Sequence, residues 1–156
     1  MTMQEVVDHP SVPGGIVVGD DGSDLSQAAV RWAAHDASLR GMPLHVIRSW
    51  SMLTAPRPTT AHAGFVPPLV DFEAAVREDM ERRWEKLTVE VPEIEVRLQP
   101  VHGSAARALL EASEHAQLVV VGSRGRGGFA GLLLGSIADQ VVRYSRCPVT
   151  VVHPKS

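Results

Sequence analysis

Residues 122–136 read Gly122-Ser-Arg-Gly-Arg-Gly-Gly-Phe-Ala-Gly-Leu-Leu-Leu-Gly-Ser136. The apolar run Leu118-Val119-Val120-Val121 precedes them and an amphipathic run beginning at Ile137 follows, so the stretch joins a buried strand to a helix. Gly122 and Gly125 let the backbone approach a ligand where a Cβ would clash. Arg124 and Arg126 bring positive charge. Gly135-Ser136 opens the next helix, whose unpaired N–H groups and dipole favour an anion. All three features suit phosphate. No Lys stands before the Ser, so this is not a Walker A loop. Gly125 to Ala130 fits the loose G-x-G-x-x-A pattern, but it follows a late strand and not the first, which argues against a dinucleotide fingerprint. The alternative is a glycine-rich surface loop that binds nothing.

Working outward, 156 residues suffice for one domain with a real core. A net charge of -3 gives no reason to expect nucleic acid or an acidic membrane as partner. The single cysteine, Cys147, excludes an intramolecular disulfide and fits a reducing compartment. It stands before Pro148 at the start of an apolar strand, where a small buried residue is expected. The first residues carry Glu5 and Asp8 without an apolar core, unlike a secretory signal. No segment approaches the length of a membrane span. A soluble, cytoplasmic protein is expected.

In chain order, residues 1–14, with Pro10, Pro13 and Gly14, read as a flexible tail before a domain over 15–156. Gly15 to Gly19 is a short buried strand ending in Asp20-Asp21-Gly22-Ser23. A helix over 24–40 follows, with a capping box of Asp24 and Gln27. Its apolar face is Leu25, Ala28, Ala29, Trp32 and Ala33, and Gly41 stops it. The second strand covers Leu44 to Ser49. The connection 51–68, rich in proline, is either functional or disordered. A helix over 69–87 carries the stripe Phe72, Ala75, Val76, Met80, Trp84 and Leu87. Ile94, Val96 and Leu98 alternate with charges, as on an edge strand. Then come a helix over 104–115, a central strand over 117–122, a helix over 136–146 with Ile137, Ala138, Val141 and Val142 inward, and a last strand over 147–152. The alternation means an α/β fold, a single doubly wound parallel sheet with helices on both faces. Its ligand crevice should lie beyond the strand C-termini, where the strand order reverses.

The chain resembles the universal stress protein family in its single-domain form, over about Gly15 to His153. The resemblance is carried by Asp21-Gly22-Ser23 with Ser26 after the first strand, by Gly122-Ser123-Arg124-Gly125 with Gly135-Ser136, by Leu132-Leu133-Leu134, and by Cys147 to Val152. It implies a five-stranded parallel sheet in the order 3-2-1-4-5 with ATP at the junction of strands one and four. Asp21 would lie near the ribose and adenine, beside Gly19 and Asp20. Ser49 would offer backbone to the adenine, and Val121 and Gly122 would line the ribose side. Arg124, Gly125, Gly135, Ser136 and Ile137 would surround the phosphates. It also implies a regulatory role in stress response and a homodimer through the strand Val149-His153.

Two positions depart from the family pattern. Asp20 stands where a small or apolar residue is usual, so two acids are adjacent. Asp20 would repel a triphosphate unless Mg²⁺ bridges them or the side chain turns away. Arg48 replaces a common His. Alternatives are a slow ATP hydrolase or phosphotransfer protein, or a binder of cyclic AMP. Arg124, Arg126 and Ser136 could stabilise charge on a γ-phosphate, but no residue is a convincing base for positioning water. The seven histidines show no zinc spacing.

Overall fold

The structure is a computed structural model that describes residues 5–125 and 134–155. Arg126, the Gly127–Ala130 part of the loose pattern, Leu132 and Leu133 lie outside the described residues. The elements run β1 (Ile16–Gly19), α1 (Asp24–Arg40), β2 (Leu44–Trp50), α2 (Leu69–Leu87), β3 (Val96–His102), α3 (Ala105–Ser113), β4 (Leu118–Gly122), α4 (Ser136–Tyr144) and β5 (Val149–Val152). The five strands form one parallel sheet in the order β3-β2-β1-β4-β5, as the alternation and the resemblance imply.

Helices cover both faces because the central strands alternate between two cores. Ile16 and Val18 of β1 pack with Leu44, Val46, Leu118 and Val120 under α1 and α2. Val17 faces the other way, with Ile47, Val119 and Val121, under α3 and α4. Strands buried on both sides must read as continuous apolar runs, and β1 and β4 do. On α1 the buried residues Ala29, Val30, Ala33, Ala34 and Ala37 are mostly alanine, so this helix lies close to the sheet. On α2, Phe72, Val76, Met80 and Leu87 point inward; truncating Met80 or Leu87 to alanine costs about 2–5 kcal/mol.

Local details differ from the sequence reading. The N-cap of α1 is Ser23, whose side chain accepts from Ser26 N; Asp24 is already helical, so the proposed Asp24–Gln27 box does not form. Trp32 is 39% exposed, and the buried face is rotated toward Val30, Ala34 and Ala37. On the short α4 only Ala138 and Val141 are buried, while Ile137 and Val142 are exposed, because a nine-residue helix at the sheet margin presents only a narrow face inward. β3 begins at Val96 and runs through Pro100 to His102; proline is tolerated because β3 is an edge strand.

The segment before β1 is tied to the domain. Val7 O accepts from His102 N, Val7 N donates to Glu73, and Ser11 exchanges two hydrogen bonds with the Gln99 side chain. These bonds cover the β3 edge with backbone that needs no regular secondary structure of its own.

Candidate functional site

β1 is the point where the sheet reverses: β2 and β3 lie on one side, β4 and β5 on the other. A cavity of about 480 Å³ opens over the C-terminal ends of β1, β2 and β4, the size of a small-molecule site. Of the candidates named from the sequence, all that are described line it, Arg126 being outside the described residues: Gly19, Asp20 and Asp21 after β1, Ser49 in β2, Val121 and Gly122 in β4, Arg124 and Gly125 beyond it, and Gly135, Ser136 and Ile137 at the start of α4.

The glycines act by letting protein segments meet. Gly135 N donates to Ser123 O at 2.6 Å, and a Cβ on Gly135 would stand 3.3 Å from Arg124 Cα. A Cβ on Gly122 would press against Leu25 of α1 at 3.2 Å, and one on Gly125 would come within 2.8 Å of Asp21 Oδ2. Such a Cβ would meet the protein walls that shape the crevice. Asp21 therefore reaches across the crevice from the β1 turn to the β4 loop, while its Oδ1 accepts from Ser23 N.

Two sets of backbone groups face the cavity. The N-cap of α4 is Gly135, with no side-chain cap, and Ser136, Ile137 and Ala138 of the first turn line the cavity. Their N–H groups and half-buried Arg124 form an anion-favouring end. At the other end, Ile47 O accepts from Asp20 N, and Trp50 O accepts from Gly103 N on the opposite side of β2. By the alternation of a parallel ladder, Ser49 is the next residue to turn its backbone toward β1, and β1 has already ended at Gly19. The Ser49 backbone can therefore serve a ligand, and its hydroxyl is buried without a hydrogen-bond partner among the described residues.

Asp20 lines the cavity, but its carboxylate is engaged by the wall. Its Oδ2 accepts from Arg48 Nε at 3.2 Å and Nη2 at 2.7 Å. Its Oδ1 accepts from Gly22 N and Ser26 Oγ, both at 2.9 Å, and lies 3.6 Å from Arg83. Arg48 Nη1 also donates to Asp79 of α2 at 2.9 Å. For both Arg48 and Asp79 burial is the largest influence and disfavours the charged form. It is outweighed by the pairing, so the Arg48 pKa is raised and the Asp79 pKa lowered. With its oxygens thus engaged, Asp20 does not present a free edge to a cation. Among the described residues no three His, Cys, Asp or Glu side chains converge on a metal-sized site.

Sequence reasoning missed the side walls. Trp50, Val76 of α2 and Leu109 of α3 line the cavity, as do Ser51, Thr54 and Pro56 from the long connection. That connection, left open between function and disorder, contributes directly to the mouth of the cavity. Its proline content and length flagged it; only the fold shows which residues reach the site.

The molecule is a doubly wound α/β protein with a glycine-walled crevice at the switch point of its sheet. The chain belongs to the universal stress protein family, whose model matches residues 15–153. It is 35% identical over 149 residues to a universal stress protein of Mycobacterium tuberculosis, an alignment covering 94% of this chain and 47% of that one. A relative in Mycolicibacterium smegmatis is 34% identical over 144 residues, 90% of this chain and 46% of the other. The chain thus spans about half the length of these curated relatives. Among solved structures, it matches a universal stress protein in complex with cAMP at 30% identity and TM-score 0.61, covering 92% of this chain and 98% of that one. The fold is also that of the Archaeoglobus fulgidus universal stress protein in complex with dAMP (20% identity, TM-score 0.57, 91% and 99% covered). No helix among the described residues is long and apolar enough to cross a membrane.

Proposed function

We propose that the cavity binds an adenine nucleotide, with ATP as the ligand, and that the protein acts as a regulatory nucleotide-binding module in stress response. The observation that carries this reading is the pairing of two unlike ends in one cavity. Ser49 backbone groups lie beyond the end of β1, suited to a flat heterocycle, and the uncapped N-terminus of α4 with Arg124 suits phosphates. The relatives solved with cAMP and dAMP support the adenine class. Mg²⁺ would be carried on the phosphates themselves, since Asp20 is occupied by Arg48. A chain with one cysteine suits the cytoplasm. A second reading, cyclic AMP, is favoured by the relative at 30% identity solved with that ligand.

Calorimetry with ATP, AMP, cyclic AMP and GTP tests both. The expected result is tight binding of ATP and little binding of GTP. Preference for cyclic AMP over ATP would establish the second reading, and equal affinity for GTP would overturn the adenine reading.

A further inference from the structure

We propose that Arg48 sets how much negative charge the cavity accepts in its ligand, by neutralising Asp20 from within the wall. This rests on the adenine-nucleotide reading and names what tunes that site. Two adjacent acids, Asp20 and Asp21, line a cavity whose opposite end favours anions. Asp20 is 6% exposed, and so is Arg48; both lie in the cavity lining. A carboxylate there, shielded from water, would act on a bound phosphate chain through low-dielectric protein.

The surrounding contacts cancel that charge. Arg48 donates twice to Asp20 and, with its third nitrogen, once to Asp79. Arg83 reaches Asp20 Oδ1 from α2 and donates to Ser23 O. With Arg82, which pairs with Asp79 at 3.4 Å from the exposed side, three guanidinium groups face the two carboxylates, so the charge of Asp20 is fully offset. Each Arg48 nitrogen is committed to a carboxylate, so the residue cannot swing toward phosphate without stranding Asp20. Its influence on the ligand is therefore electrostatic and indirect, which makes it a positioning and charge-setting residue.

Such a role scales with ligand charge. A neutral nucleoside is indifferent to it, whereas a triphosphate is not. A purely structural role would affect both ligands alike. The test is calorimetry without Mg²⁺ at fixed low ionic strength, with ATP and adenosine as probes, on wild type, Asp20→Asn, Arg48→Met and the double variant. Arg48→Met should weaken ATP on the order of tenfold while leaving adenosine within about twofold. Asp20→Asn should tighten ATP and leave adenosine unchanged. The double variant, which removes one charge of each sign, should return the ATP-to-adenosine ratio to that of wild type. If Arg48→Met does not fold, the near-isosteric Asp20→Asn decides alone. An unmoved ratio in folded Asp20→Asn, or equal loss of both ligands in Arg48→Met, overturns the proposal while the adenine reading stands. A wild-type protein that binds neither ligand overturns both.

Discussion

The Nδ1 atom of His45 lies 3.0 Å from Gln99 Nε2, and its Nε2 atom lies 3.0 Å from Gly14 O. Gln99 is held in this orientation by Ser11, which donates to its oxygen and accepts from its nitrogen. A donor therefore faces Nδ1, and the ring is neutral with its proton on Nε2. Burial pushes the His45 pKa down; the Gly14 bond and Glu95 push it up, Arg97 pushes it down, and the sum is a lowered value. A folded-state pKa below 6.5 means the unfolded chain binds more protons as pH falls through that range. Stability from this group should be complete above about pH 6.5 and decline below it, by at most about 1.4 kcal/mol per pH unit. Urea titrations of wild type and His45→Gln between pH 5 and 8 check this. The same pH slope in both proteins would show that His45 is not the group responsible.

Gly125→Ala should separate binding from stability. Its Cβ would stand 2.8 Å from Asp21 Oδ2, closer than a carbon and an oxygen tolerate, but the obstacle is the end of a side chain that can rotate. Thermal stability should change by less than about 1 kcal/mol, while Asp21 is displaced from the β4 loop and nucleotide affinity falls on the order of tenfold. Thermal melts and calorimetry on the same preparations decide. Unchanged affinity in the folded variant would remove Asp21 from the site.

Trp50 offers a direct optical report. It is 2% exposed, lines the cavity and lies with its ring centroid 4.7 Å from that of His102. Trp32 is partly exposed on α1, and Trp84 packs at the edge of the core beneath α1 and α2. Saturating ATP should change the emission of wild type, and Trp50→Phe should abolish that change while preserving affinity within a few-fold. A ligand-dependent signal that persists in Trp50→Phe would place the ligand elsewhere.

The alternation of strands and helices and the glycine loop were legible because they depend on local signals: apolar runs at β1 and β4, turn residues after them, and glycines at fixed spacing. The strand order and residues such as Ser49 and Ile137 came from the family resemblance. What stayed hidden depends on pairs distant in sequence. Nothing near Asp20 announces that Arg48 and Arg83 neutralise it, since they stand 28 and 63 positions further along the chain. His45 and Arg48 read as polar interruptions of a strand, yet both are buried with partners. Capping was misassigned by one residue because Ser23, Asp24 and Ser26 are all acceptable caps, and only the backbone turn at Gly22, with φ of 83°, selects Ser23.

The last prediction concerns self-association. β5 pairs with β4 on one side, in the register Val121↔Val151. At the opposite margin of the sheet, β3 is accompanied by residues 7–11 through Val7 and Ser11. The N-terminal segment thus runs along β3 and not along β5, so the edge open to a second copy among the described residues is β5. Val119 N donates to Pro148 O, and Ser123 N donates to Val152 O. Even-numbered residues of β5 therefore turn their backbone groups toward β4, and Val149 and Val151 turn theirs outward. Val142 and Tyr144 of the adjoining α4 add exposed apolar surface. We expect a two-fold homodimer through β5, in which each outward N–H bond occurs twice, once from each protomer. Val151→Pro removes an outward donor while sparing the ladder to β4. Two lost hydrogen bonds at about 1 kcal/mol each should weaken the dimer on the order of thirtyfold without unfolding the protomer. Thr150→Pro, whose N–H faces β4, should instead destabilise the fold. Light scattering across a dilution series, with circular dichroism as the folding control, distinguishes these outcomes. A wild-type protein that is monomeric throughout, or a Val151→Pro variant that dimerises as well as wild type, would exclude pairing through β5.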